Sequence, residues 1–335
     1  MISMCHFENN WLTVMRYSHK RNVIRGVLIL FFAVFMSGAV FSAEGTIRIG
    51  LLHDDPEPFS LVISVIEESL SSMHPEMEVE LVNLGSMNQA RALSQLASGQ
   101  ANFDIFFSGY SSEREKKLVQ FDLPLTMGLL GIRVPVVRAS QVEELLERVE
   151  QKGIRSLTVG SGIGWPDSKI LIENNFNVML AGYDSLWKML QYGRVDAFAR
   201  GIEEAYVEVN QRKDWPDPPV ILPGYLIVYP LDYFLYTTAE KLPAISVLID
   251  SITAALESGR VFEVLSNHKT SAEALAYLQS CECVVEELYN KSLTQRILSI
   301  DDSYWLDIAR RSLEKNKKAG LPKSDSSVEK LKTSP

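Results

Sequence analysis

Residues 156–204 read SLTVGSGIGWPDSKILIENNFNVMLAGYDSLWKMLQYGRVDAFARGIEE, and their pattern decides the fold class. The apolar run Leu157-Thr158-Val159 stops at Gly160-Ser161-Gly162-Ile163-Gly164. Trp165-Pro166-Asp167 then opens a helical pattern through Ile170, Leu171 and Asn174. Proline suits the first turn of a helix, where its missing N–H would have no partner, and an acid there complements the positive end of the dipole. A second strand over 177–180 follows, then a helix through Leu186, Met189 and Leu190 closed by Gly193. A third strand over 195–199 ends at Arg200-Gly201. Strand, glycine-rich turn, helix, strand, helix, strand is a parallel α/β unit, and ligands of such sheets sit beyond the carboxyl ends of the strands. The loops 160–167 and 199–204 fall at two such ends.

The glycine-rich turn is not a dinucleotide fingerprint, which needs G-x-G-x-x-G and an acid about 20 positions on, nor a phosphate loop, because no Gly-Lys-Ser/Thr follows. Its glycines either make a tight turn or let backbone N–H groups face a ligand at the helix start. Ser161, Gly162 and Gly164 are therefore candidate ligand contacts, with Trp165 as an apolar wall. The same rule marks Ser108, Gly109 and Tyr110 after the apolar strand 103–107, and Phe59 beyond the first strand, 46–52. Arg200 closes the strand 195–199 with Glu203 just after it, and Arg133 lies in the extended run 128–137. These two guanidiniums are the expected holders of a negatively charged ligand group.

The chain has 335 residues, enough for two domains of ordinary size. Lys20, Arg21 and Arg25 precede an uncharged run over 26–41, and the small residues Ser42 and Ala43 follow. This is the layout of a secretory signal with cleavage near Ser42 or Ala43, and Met15 is an alternative start to Met1. The leader carries Arg16, Lys20, Arg21 and Arg25 against Glu8, so its removal takes the net charge from −9 to −12. Such acidity disfavours nucleic acid and anionic membrane as partners. Cys281 and Cys283 are the cysteines left; bridging two positions apart demands unusual geometry, so the pair is expected reduced, strained or structural. His53, His74 and His268 are scattered without metal-ligand spacing, so no metal or other cofactor is expected.

Two extended crossings, near 131–139 and 218–228, bracket a compact α/β unit. The expected architecture is a signal peptide over 1–43, a discontinuous first lobe from 44–134 and 224–314, a second lobe over 135–223, and a disordered tail over 315–335. Each lobe is a mixed sheet flanked by helices, and a cleft between them suits hinge closure on a ligand.

FDIFFSG at 103–109, Glu113-Arg114-Glu115, Phe121-Asp122-Leu123-Pro124, Thr158-Val159-Gly160 and Gly193-Arg194-Val195-Asp196-Ala197 occur in that order. In order and spacing they resemble the extracellular solute-binding proteins of family 3, the type 2 periplasmic binding proteins that include amino-acid receptors of ABC importers. The resemblance spans residues 46–259. It implies a periplasmic, monomeric, non-catalytic receptor that closes on a small-molecule solute and serves an importer permease or a membrane sensor. It also implies that Arg114 is the nearest match to the family's carboxylate-binding arginine. Gly164-Trp165 stands where the family has Gly-Thr, and no carboxylate follows Gly201 until Glu203. The expected ligand is therefore a small polar or anionic solute. An enzyme on the same fold, dehydratase-like, is the alternative, with His53, Asp54, Asp55, Glu203 and Glu204 as its acid/base candidates.

Overall fold

The computed structural model describes residues 45–52 and 56–319. The expected leader and its cut, His53, Asp54, Asp55 and the tail beyond Ala319 lie outside these residues. In chain order the strands are β1 (Thr46–Leu51), β2 (Glu78–Asn83), β3 (Ile105–Gly109), β4 (Val119–Gln120), β5 (Ile132–Arg138) and β6 (Thr158–Gly162). They continue as β7 (Asn177–Ala181), β8 (Ala197–Gly201), β9 (Pro219–Ile221), β10 (Tyr225–Val228), β11 (Tyr233–Thr237) and β12 (Val284–Glu287).

Two mixed sheets result. The first has the order β2-β1-β3-β11-β4, parallel on the β2 side and antiparallel on the β4 side. β1 and β3 read as near-continuous apolar runs because helices cover them, the pattern of a sheet buried on both faces. The helix Ser60–Met73 packs against the helix Leu242–Glu257, and Val65, Ile66, Leu248 and Ile252 are fully buried. Asn88 starts the helix Gln89–Ala97 by accepting a hydrogen bond from the Arg91 N–H at 2.9 Å.

The second sheet has the order β12-β10-β5-β8-β6-β7, with β9 also paired to β5. Its β6–helix–β7–helix–β8 core follows the unit read from residues 156–204. Pro135 stands in the middle of β5, where a proline removes a ladder donor. The strand changes partner there, from β10 at Arg133 to β9 at Val136.

The chain crosses between the sheets twice, at 128–132 and 228–233, and the crossings are tied together. Tyr229 N–H donates to Gly131 O at 3.1 Å. The buried Asp232 carboxylate accepts from Thr126 N (3.0 Å), Thr126 Oγ1 (2.9 Å), Tyr233 N (2.5 Å) and Gly128 N. A Cβ on Gly131 would lie 2.1 Å from Tyr229 O, so the crossing strands approach more closely than any side chain allows. Gly131→Ala is expected to lower stability by about 1–3 kcal/mol through overpacking. Urea unfolding measures this, and an unchanged midpoint would contradict it.

Two expectations about layout need correction. β12 joins the second sheet by parallel pairing with β10, and β10 itself belongs there, so 224–314 does not lie wholly with the first sheet. Four residues with two exposed valines carry too short an alternation to be read as a strand. The helix Asp307–Ala319 takes in residues 315–319, which were expected in the tail, and Asn316 is buried against Leu288 and Asn290.

Candidate functional site

A cavity of about 670 Å³ lies between the sheets. The first sheet and its loops contribute Phe59, Asn88, Gln89, Gly109 and Tyr233. The second contributes Arg133, Trp165, Asp167, Tyr183, Arg200, Glu204, Glu208 and Arg212.

Its wall carries an alternating chain of charges. Asp167 pairs with Arg133; Arg133 reaches Glu204 at 3.4 Å; Glu204 meets Arg200 at 3.1 Å. Arg200 then holds Glu208 through two bonds, Nε to Oε2 at 2.6 Å and Nη2 to Oε1 at 2.8 Å. Three tyrosine hydroxyls donate to the three carboxylates: Tyr229 to Asp167 (2.8 Å), Tyr233 to Glu204 (2.7 Å) and Tyr183 to Glu208 (2.7 Å). The elements explain the placement. The side chain of Arg200 leaves β8 on the same face as Phe198, and Glu204 and Glu208 follow at steps of four on the helix Ile202–Asn210, so both reach back to one guanidinium.

These charges are almost wholly out of water, which makes their pairing obligatory. Arg133 is 2% exposed and Arg200 4%. Burial alone would lower the Arg200 guanidinium, but Glu204 and Glu208 outweigh it and hold it charged; Asp167, Tyr229 and Glu204 do the same for Arg133. Burial likewise pushes Glu204 up, while Arg200 and Arg133 hold it below the ordinary carboxylate value. Aromatic faces enclose the guanidinium of Arg200: Phe198 at 5.0 Å, Trp165 at 5.1 Å and Tyr183 at 5.7 Å. Gly162 makes room for Trp165, whose ring would lie 2.2 Å from a Cβ there.

The expected contacts divide. Phe59, Gly109, Arg133, Trp165 and Arg200 line the cavity. Ser108 does not; it is buried, donates to Gln89 Oε1 at 3.1 Å and accepts from Arg114 at 2.7 Å. Ser161 is buried beneath the turn and accepts from Ser168 Oγ at 2.8 Å, and Gly162 lies under the Trp165 ring. Tyr110 and Gly164 face a second cavity of about 420 Å³, which Arg114 also lines. Tyr110 donates to Glu115 at 2.8 Å, and the Gly164 carbonyl accepts from Arg114 at 3.2 Å. Glu203 is buried behind the wall, and both its carboxylate oxygens lack a hydrogen-bond partner. Burial, and then the charge of Glu204, push it up to about 8. Arg200 and Arg133 are thus not free to hold an anion, since each already serves two carboxylates.

Sequence reading missed Asp167, Glu208, Arg212 and Tyr233 as wall residues. The step-of-four series Arg200, Glu204, Glu208 was the signal available for one of them. Asp167 and Tyr233 carried none, because their partners are remote in sequence.

No protein-family model matches the chain, and no curated protein matches it. Solved structures do. An arginine 3rd transport system periplasmic binding protein from Legionella pneumophila is 14% identical with a TM-score of 0.51, covering 67% of this chain and 99% of that one. An ancestral arginine-binding protein bound to glutamine is 16% identical, TM-score 0.48, covering 68% and 98%. A histidine kinase sensor domain with similarity to periplasmic binding proteins is 14% identical, TM-score 0.46, covering 65% and 93%. The fold is that of the periplasmic binding proteins: two mixed sheets flanked by helices, with the cavity between them.

Proposed function

We propose that this chain is an extracytoplasmic receptor that closes on a small polar solute and presents it to a membrane importer. The observation that supports this most directly is the cavity itself, whose walls come from both sheets beside two tied crossings that can act as a hinge. Its charge argues against an anionic solute. Asp167, Asp184, Glu204 and Glu208 face Arg133, Arg200 and Arg212, an excess of one acid, and the buried guanidiniums are already engaged. The aromatic faces of Phe59, Trp165, Tyr183 and Tyr233 suit an alkyl or cationic group. The same engagement of Asp167, Glu204 and Glu208 favours a receptor over an enzyme, because a general base must be free to take a proton.

Thermal unfolding with a panel of cationic, neutral and anionic amino acids and of sugars tests the reading. A ligand at 100 times its dissociation constant raises stability by about 2.7 kcal/mol. Cationic or neutral compounds are expected to stabilise the protein. Stabilisation by anions alone would overturn the charge argument, and no stabilisation by any compound would overturn the receptor.

A further inference from the structure

Away from the cavity, a disulfide joins Cys281 to Cys283, with Glu282 as the single residue between them. Cys281 ends the helix Lys269–Ser280, and Val284 begins β12. A cross-link stabilises a fold mainly by restricting the unfolded chain, and the effect grows with the loop it encloses. A bridge around one residue lies at the small end of that range. The local geometry is also held without it. Cys281 N–H closes the helix on Tyr277 O at 2.9 Å, and Val284 N–H starts the strand on Gly224 O at 2.9 Å. Both cysteines are only half-buried, so a reductant can reach the sulfurs. The Tyr277 hydroxyl lies 3.4 Å from Cys283 Sγ and accepts from Gly224 N–H at 3.2 Å, which leaves its own hydrogen available to the sulfur.

We propose that Cys281 and Cys283 form a thiol–disulfide exchange site that accepts two electrons from a dithiol. One donor thiolate attacks Cys281 Sγ, the bond between the two cysteines breaks, and the electron pair leaves on Cys283 Sγ, where the Tyr277 O–H donates to it. The donor's second thiolate then attacks the donor sulfur of the mixed disulfide, and Cys281 Sγ departs with the second pair. The two cysteines take up the two protons that the donor thiols lost, and the donor leaves as its own disulfide. A thiol that leaves as a stabilised anion leaves faster, which assigns Cys283 rather than Cys281 as the first leaving sulfur.

The test uses the full chain, equilibrated without denaturant in glutathione buffers of increasing reducing strength, then acid-quenched and alkylated, with the label mapped at Cys281 and Cys283. The pair is expected to pass to the dithiol form in millimolar reduced glutathione, a pool that structural disulfides of secreted proteins resist. Reduction is expected to leave the melting temperature nearly where it was. A bridge that opens only after denaturation, or a reduced form that melts far earlier, would show a structural staple and overturn the proposal. Tyr277→Phe is expected to slow reduction by dithiothreitol several-fold, and an unchanged rate would overturn the assignment of Cys283 as leaving sulfur.

Discussion

Arg200→Met is expected to lower the stability of the unliganded protein by about 3–5 kcal/mol, the range for removing one partner of a buried ion pair. Methionine fills much of the same space between Trp165, Tyr183 and Phe198 but leaves Glu208 without its two charge-assisted bonds. Of its two arginines Glu204 keeps Arg133, at 3.4 Å, beside the Tyr233 hydroxyl and the Gly201 N–H. In urea the midpoint should fall while the slope stays constant, since the surface exposed on unfolding is unchanged. A guanidinium reserved for the solute would give the opposite result: an unaltered midpoint and an affinity loss of about ten- to a hundredfold. Adding Glu208→Gln to Arg200→Met should cost less than the two single losses summed, because the second change removes a carboxylate already orphaned.

Stability is expected to fall as pH rises from about 4.5 to about 8, with Glu203 as the chief cause. Its carboxyl is held up to about 8 in the fold by burial and by Glu204, against an ordinary value of 4.5. Below both values the group is protonated in folded and unfolded chains alike, and stability is highest. Between them the folded protein keeps a proton that the unfolded chain has released, so each step up in pH favours unfolding. Above about 8 the ionised group sits buried among Glu204, Arg133 and Asp232, at a cost on the order of 5 kcal/mol. Asp232, raised by burial to about 7 against its backbone donors, acts in the same direction. Glu203→Gln should therefore flatten the dependence without abolishing it, and should make the protein more stable than its parent at pH 9. Melting temperatures of both proteins from pH 5 to 9 decide this; parallel curves would remove Glu203 as the cause.

Glu203 and Glu204 show how far the sequence could be read. They are neighbours of one residue type on the same helix, and a Cβ on Gly201 would lie 2.8 Å from Glu204 Oε2 and 3.0 Å from Glu203 Oε2, yet their partners differ. Glu204 enters the charged wall between two arginines, whereas Glu203 is left without a partner. Nothing local distinguishes them, because a carboxyl's behaviour depends on which remote groups replace its water. Arg200 lines the cavity, where it was expected to hold a ligand anion, and its guanidinium is engaged by Glu204 and Glu208. Alternation located it at a strand end, but its neutralisation depends on Glu208, which entered no reading of the loop.

What the sequence determined by itself is the part that local physics controls. Apolar runs with glycine after them became β3, β6 and β8, Pro166 opened its helix, and the extended segments near 131–139 and 218–228 became the strands β5, β9 and β10 of the second sheet, with the crossings at their ends at 128–132 and 228–233. Backbone sterics and the period of apolar residues suffice for these, since each is written within a dozen positions. The tertiary structure alone decided that β12 completes the second sheet, that Asp232 knots the crossings, and that Asp167, Arg133, Glu204, Arg200 and Glu208 form one chain of charges. Those features join groups as much as 106 positions apart in the chain, and their energies arise from desolvation, which exists only once the surrounding side chains have closed over them.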